Sequence, residues 1–145
     1  MIIIAKPVEI LLVEDNEGDI GLIEEVFEEA KIRNTLHIAE DGEEAILFLR
    51  GEGKFSGSPR PDIILLDLNL PKKDGREALK EIKEDKNLKS IPIIILTTSK
   101  AEEDIIKTYG LGVNSFITKP VMFSAMVDVM NTLKKYWLEI VELPG

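Results

Sequence analysis

One carboxylate, Asp67, lies at the end of an apolar segment, in the stretch LLDLNLPKKDG of residues 65–75. An unpaired carboxylate in an apolar strand costs several kcal/mol or becomes protonated. Polar residues also follow three other apolar segments of the chain: Glu14 and Asp15 after ILLV, Thr97 after IIIL, and Lys119 after FIT. If these segments are parallel strands of one sheet, their carboxyl ends share the edge at which open sheets bind ligands.

The residue types at these four strand ends are those of a phosphoryl-accepting site. Three converging carboxylates would repel one another and raise one another's pKa values. A hard divalent cation removes this conflict, and Mg²⁺ is typically held by one or two protein carboxylates together with a phosphate. Lys119 would add a second cation and Thr97 a neutral donor. Asp67 would then be the nucleophile, while Mg²⁺ and Lys119 spread the charge of the phosphoryl oxygens.

Each of these residues taken alone also has an ordinary structural interpretation. Glu14 and Asp15 could be a solvated strand end, Asp67 a buried turn cap, and Thr97 a β-branched residue that fills a strand. Their combination at separate strand ends of one sheet favours a functional site. The single histidine, His37, is predicted to lie on the second strand, away from the cluster, in a structural role.

The pattern of apolar residues predicts five strand–helix units. Strands are expected at residues 8–13, 35–39, 62–68, 93–97 and 115–118. Helices are expected after Asn16, after Asp41, after Gly75, at 101–109 and at 123–141, with a loop at 51–61. This alternation predicts a doubly wound α/β fold, in which a five-stranded parallel sheet carries helices on both faces, because each crossover must be long and right-handed.

Composition narrows the class of protein. The chain has 145 residues, which suits a single domain over 1–145 with a core at about 8–138 and an apolar tail at 136–145. A net charge of −9 argues against a nucleic-acid partner, and the lack of cysteine excludes disulfides and thiolate metal sites. The start, MIIIAKPVE, is too short for a signal peptide, and no segment is as long and apolar as a membrane helix. We therefore expect a cytoplasmic protein without a membrane partner.

Four stretches together resemble the receiver family of response regulators, the phospho-accepting half of two-component signalling. They are LLVEDN (11–16), DIILLDLNLPKKDG (62–75), IPIIILTTS (91–99) and FITKP (116–120), in the order of the family. The resemblance implies a flavodoxin-like sheet with strand order 2-1-3-4-5. It also implies a protein that catalyses only its own phosphorylation and dephosphorylation and is not an enzyme for a separate substrate.

The resemblance assigns a role to each motif residue. Asp67 would be the phosphorylation site, and Mg²⁺ would be bound directly by Asp15, by Asp67 and by the backbone carbonyl of Asn69, with Glu14 acting through water. Lys119 would contact the phosphoryl group, with a cis peptide bond to Pro120 that turns it toward Asp67. Thr97 and Phe116 would form the switch. Glu14 replaces a commoner aspartate, and Phe116 lacks the hydroxyl of a commoner tyrosine.

The resemblance also implies partners. A sensor histidine kinase would donate the phosphoryl group, and the loop 51–61 with the ending YWLEIVELP resembles single-domain receivers that serve phytochrome-type kinases. The apolar ending predicts a homodimer with Trp137 as a buried anchor; the alternative is that it folds back over Ile2–Ile4 of its own chain. The output could be a protein contact, a phosphorelay step or a phosphate sink.

Three rival classes share parts of the pattern. A haloacid-dehalogenase-type phosphatase would need a second acid two residues after the nucleophile, where this chain has Asn69. A flavodoxin-like or dinucleotide-binding protein would need a glycine-rich loop after the first strand, where this chain has the acidic EDNEGD. A pseudo-receiver that takes no phosphate usually lacks a key residue, and each key residue is present.

Overall fold

The computed structural model describes residues 7–29, 33–70, 72–98, 100–101, 106, 110, 113 and 115–128. Strands and helices alternate along the described chain: β1 (Val8–Val13), α1 (Glu17–Glu29), β2 (Asn34–Ala39), α2 (Gly42–Arg50), β3 (Ile63–Asp67), α3 (Gly75–Glu84), β4 (Ile93–Thr97) and β5 (Ser115–Thr118). Residues 123–128 are also helical. Most of the helices predicted at 101–109 and 123–141, and all of the tail 136–145, lie outside the described residues.

The five strands form one parallel sheet in the order β2-β1-β3-β4-β5. The predicted fold class and strand order are therefore confirmed. The observed bounds differ slightly from the expected ones, since β2 begins one residue earlier, at Asn34, and β3 spans Ile63–Asp67 instead of 62–68. The predicted loop 51–61 contains a single 3-10 turn at Gly53–Phe55. Within the described ranges, no helix is long and apolar enough to cross a bilayer.

The core consists of two apolar layers, one on each face of the sheet. Successive residues of a strand face opposite sides, so Leu11 and Leu66 contribute to the layer under α2 and α3, whereas Leu12 and Leu65 contribute to the layer under α1. All of the residues of β3 and β4 are buried, because helices cover both faces. The central strands are therefore apolar almost throughout, and a charged residue at the end of one of them, such as Asp67, indicates a functional role.

Short polar side chains set the positions at which the helices begin. The side chain of Asp41 accepts a hydrogen bond from the Glu44 amide at 2.8 Å, and the side chain of Asp74 accepts one from the Glu77 amide at 3.0 Å. Asn16 accepts one from the Asp19 amide at 2.9 Å. Such N-caps satisfy amides that the first helical turn leaves without partners. Two of them, Asn16 and Asp41, start their helices within three residues of the preceding strand end, which keeps these two loops short.

Gly75 allows α3 to begin against the backbone that follows β3. A Cβ atom at this position would lie 2.1 Å from the carbonyl oxygen of Asp67 and 2.6 Å from Cα of Leu68. The Gly75 amide also donates a hydrogen bond to the Leu68 carbonyl at 3.1 Å. Only glycine permits so close an approach. The contact fixes the backbone at the Asp67 carbonyl and at Leu68.

Replacing this glycine should therefore destabilise the protein. We expect Gly75→Ala to lower the free energy of unfolding by about 2 kcal/mol, because the backbone of β3 or α3 must move to admit the methyl group. Gly21→Ala is the matched control: Gly21 lies within α1, a Cβ there would meet no atom within 4 Å, and the change should stabilise by about 0.5–1 kcal/mol. Urea denaturation measures both, and equal stability of the two variants would contradict the close approach.

Candidate functional site

The acidic residues at the ends of β1 and β3 converge as the sequence predicts. One carboxylate oxygen from each of Glu14, Asp15 and Asp67 lies within 4.8 Å of the other two, and the three form a group that could hold a metal ion. Glu14 and Asp67 are buried, whereas Asp15 is exposed. The sheet order explains the convergence, since β1 and β3 are neighbours in parallel register. Their carboxyl ends therefore lie side by side.

Lys119 joins this group from the end of β5. Its Nζ atom donates hydrogen bonds to Oδ2 of Asp67 at 2.9 Å, to Oε1 of Glu14 at 2.5 Å and to Oδ2 of Asp19 at 3.0 Å. The lysine side chain is only 12% exposed. The peptide bond between Lys119 and Pro120 is cis, as predicted. One largely buried ammonium is thus shared by three carboxylates.

Backbone groups complete the surroundings of the carboxylates. The Asn69 amide donates to Oδ1 of Asp67 at 3.1 Å, and the Asp15 amide donates to Oε2 of Glu14 at 3.1 Å. The two oxygens of Asp67 therefore differ: one faces a charged donor, the other a neutral amide. Because each oxygen of Asp67 accepts a hydrogen bond from a different donor, the carboxylate is held in one orientation.

The two predicted switch residues lie on the neighbouring strands. Thr97 is fully buried at the end of β4, and its carbonyl accepts a hydrogen bond from the Lys119 amide at 2.8 Å. Phe116 lies on β5, opposite Ile95 in the register, and packs half-buried against the apolar layer under α2 and α3. Thr97 is therefore tied to the lysine through the backbone, while Phe116 lies at the border of the core.

The electrostatics of the cluster leave negative charge uncompensated. Burial raises the pKa of Glu14 to about 8, and its hydrogen bond with Asp67 adds to the rise, which the ammonium of Lys119 only partly opposes. Burial would lower the pKa of Lys119, but its hydrogen bonds to Glu14, Asp67 and Asp19 hold that pKa above the ordinary value. A single lysine does not balance the surrounding carboxylates, so the site favours a further cation.

The donor set fits Mg²⁺. The group is made of carboxylate oxygens, which are hard ligands, and the described residues that form it include no sulfur or nitrogen ligand. Asp15 is exposed, so water reaches the group, as Mg²⁺ requires because it usually keeps several of its waters. The residues that the sequence assigned to a metal site are therefore suited to one.

Asp19 also contacts Lys119, although the pattern of polar residues after the strands does not indicate it. Asp19 lies in the first turn of α1, four residues after Asp15. Helical spacing from the Asn16 cap could have indicated that it returns to the end of β1. His37, by contrast, lies outside the cluster as predicted: its Nε2 atom is 2.6 Å from Oε2 of Glu9, and its ring lies 5.1 Å from that of Phe48.

The chain is similar in sequence to a known protein family and to a characterised member of it. Residues 10–131 match the family model of the response regulator receiver domain. The chain is 47% identical over 139 residues to response regulator Rcp1 of Synechocystis sp., which covers 96% of this chain and 95% of that protein. The match thus extends over nearly the full length of both proteins.

Solved structures agree with the sequence match. The Mn²⁺-bound form of Rcp1 superposes with a TM-score of 0.75 at 47% identity, covering 96% of this chain and 100% of that one. The phosphorylated cyanobacterial phytochrome response regulator RcpA superposes with a TM-score of 0.76 at 45% identity, covering 97% of this chain and 100% of that one. Similar proteins of this fold have thus been observed with a divalent metal ion and in a phosphorylated state.

Proposed function

Because the chain belongs to the response regulator receiver domain family, we propose that Asp67 accepts a phosphoryl group from a sensor histidine kinase in two-component signalling. One observation carries the assignment: the buried Asp67 carboxylate lies 2.9 Å from the Lys119 ammonium, beside the carboxylates of Glu14 and Asp15. The protein would act catalytically only on its own Asp67, in phosphorylation and dephosphorylation, and would signal by contact with another protein.

The chemistry of transfer follows from the surroundings of Asp67. One of its carboxylate oxygens forms a bond to phosphorus as the bond between phosphorus and the kinase histidine nitrogen breaks, and the imidazole leaves with the electron pair. Lys119, already 2.9 Å from Asp67, donates hydrogen bonds to the phosphoryl oxygens. The Asn69 amide holds the carboxylate during the transfer. Positioning and charge stabilisation, more than covalent chemistry, account for such a reaction.

Mg²⁺ is the proposed cofactor. Asp15 and Asp67 would bind it directly together with the Asn69 carbonyl, and Glu14 would act through water. When bound, the ion supplies positive charge to the phosphoryl oxygens and relieves the repulsion among the carboxylates. The Mn²⁺-bound form of the relative Rcp1 and the oxygen-only donor set of this chain support the assignment.

Thr97 and Phe116 are proposed to report the phosphorylated state. Phosphoryl oxygens are new acceptors, and the Thr97 hydroxyl would move toward them from the end of β4. That movement would vacate space into which the Phe116 ring can turn, which changes the surface around β5. A local charge would thus bias a two-state element. The burial of Thr97 and the position of Phe116 at the border of the core support the proposal.

The kinase is proposed to dock on a groove along α1. The groove lies between α1 and residues 121–123, encloses about 440 Å³, and is lined by apolar and acidic side chains: Leu22, Val26, Val121, Met122, Phe123, Glu25, Glu28 and Glu29. Met122 and Phe123 are 59% and 41% exposed. The apolar floor and the acidic residues suit a helix with apolar and basic residues, and the phytochrome link of RcpA supports a phytochrome-type kinase.

Two further parts of the proposal concern assembly and location. The homodimer predicted from the apolar ending, with Trp137 as anchor, rests on the sequence, because residues 136–145 lie outside the described ranges. The expected lack of a nucleic-acid partner rests on the net charge of −9, and that of a membrane partner rests on the lack of an apolar segment of membrane length. The proposed cytoplasmic location rests on the lack of cysteine.

Substitution at the acceptor tests the function. With Mg²⁺ and labelled acetyl phosphate, we expect the wild type to incorporate phosphate and Asp67→Asn to remain at background, because an amide oxygen is a poor nucleophile. Asp62→Asn is the matched control, because Asp62 directly precedes the same strand at the end away from the site, and it should be labelled like the wild type. Thr97→Ala should also be labelled, since its role begins after transfer. Labelling of Asp67→Asn at the wild-type level would remove Asp67 from the reaction.

Metal binding should stabilise the folded protein. At a Mg²⁺ concentration of 100 times Kd, the gain in unfolding free energy is about 2.7 kcal/mol, which thermal unfolding detects as a rise of several degrees in Tm. Asp15→Asn should reduce this gain more than Glu14→Gln, because a direct ligand contributes more than one that acts through water. A larger loss with Glu14→Gln would reverse the assigned roles of the two acids.

A further inference from the structure

The three carboxylates that share the Lys119 ammonium are not equivalent. The side chain of Glu14 is fully buried and that of Asp67 is 5% exposed, but that of Asp19 is 30% exposed. Glu14 and Asp67 lie at the ends of β1 and β3, in the middle of the sheet, whereas Asp19 lies on the first turn of α1. Asp19 is therefore the partner that water can most readily solvate if its contact with the lysine is lost.

The number of donors on the ammonium makes this difference important. A lysine has three N–H bonds, and in this structure they serve Glu14, Asp67 and Asp19. Under the proposed function, a phosphoryl group on Asp67 brings new oxygens that also require donors from Lys119. One existing contact must then be given up. Of the two acids that remain carboxylates after transfer, the release of Glu14, which is fully buried, costs more than the release of Asp19, which is partly solvated.

We infer that Asp19 is a positioning residue that competes with the phosphoryl group for the Lys119 ammonium and so weakens the hold of the site on that group. Its carboxylate binds the lysine before transfer and is released to water when the phosphoryl oxygens take its place. Its negative charge also opposes the approach of an anionic group to Asp67. Phosphorylation is thereby coupled to the first turn of α1, the helix that borders the groove described above.

The alternative is that Asp19 acts only as a favourable acid at a helix start. Acidic residues in the first turn stabilise a helix through its dipole, and α1 has two, Glu17 and Asp19. Glu17 is exposed and provides a matched control, since it carries an equal charge in the same turn. Substitution of the Asp19 side chain leaves the Asn16 cap in place, because that hydrogen bond uses the Asp19 backbone amide.

The experiment is a titration with beryllofluoride, an anionic phosphoryl mimic, at saturating Mg²⁺, followed by calorimetry. Asp19→Asn should bind beryllofluoride about five- to tenfold more tightly than the wild type, because the ion pair that competes for Lys119 is replaced by a weaker hydrogen bond to an uncharged amide oxygen. Glu17→Gln should stay within about twofold of the wild type. Asp19→Glu restores the charge and should return the affinity toward that of the wild type.

A second titration, with Mg²⁺ alone, tests whether the Asp19 substitution also changes the affinity of the site for the metal ion. This distinguishes competition for Lys119 from a general increase in the affinity of the site. The affinity of Asp19→Asn for Mg²⁺ should be unchanged or lower, because a negative charge has been removed near the ion. Tighter beryllofluoride binding without tighter Mg²⁺ binding is the signature of the competition.

The outcomes distinguish this inference from the proposed function on which it rests. Wild-type binding of beryllofluoride that Asp67→Asn abolishes supports the function. If, in addition, Asp19→Asn binds no more tightly than the wild type, or Glu17→Gln gains as much, the inference about Asp19 is wrong while the function stands. If the wild type does not bind beryllofluoride at all, the proposed function fails and the inference fails with it.

Discussion

The site depends on one electrostatic constraint: a single largely buried ammonium must serve several carboxylates. Lys119 donates to Glu14, Asp67 and Asp19, and Glu14 has no exposed surface. Buried charges of one sign are tolerated only when they are paired and hydrogen-bonded. The lysine provides part of that compensation, and the remaining negative charge would attract a divalent cation, whose positive charge would in turn favour the approach of an anionic phosphoryl group. The metal binding proposed for the site is therefore a consequence of its excess negative charge.

The fold determines the positions of the lysine and the carboxylates. Parallel strands carry their carboxyl ends to one edge, so residues more than fifty positions apart, such as Glu14 and Asp67, become neighbours. Behind them, two apolar layers keep the strands rigid, and Gly75 lets α3 approach the backbone of Asp67 too closely for any side chain. The Asn69 amide then fixes the orientation of the carboxylate. The packing of the sheet and the geometry of the turn after β3 thus both determine the position of Oδ1 of Asp67.

Most of the fold and most of the site could be predicted because both rest on short-range patterns. Apolar runs define the buried strands, and polar residues directly after them mark the functional edge, which identified Glu14, Asp15, Asp67 and Lys119. Asp19 could not be found in this way, because its role arises from a contact with a residue 100 positions away, on another element. Nor does the sequence tell which acid of the first pair is buried; beyond the end of β1, the structure buries Glu14 and exposes Asp15.

A double-mutant cycle between Lys119 and Asp67, in the absence of divalent ions, tests the shared ammonium most directly. Lys119→Met should cost about 3 kcal/mol of unfolding free energy in the wild type, since it leaves buried carboxylates unpaired, and clearly less in an Asp67→Asn background. The exposed pair Lys54–Glu44, with a lysine side chain 65% exposed, is the reference and should show a coupling below about 1 kcal/mol. We predict a coupling of at least about 1.5 kcal/mol between Lys119 and Asp67. Additivity within about 0.5 kcal/mol would contradict the account.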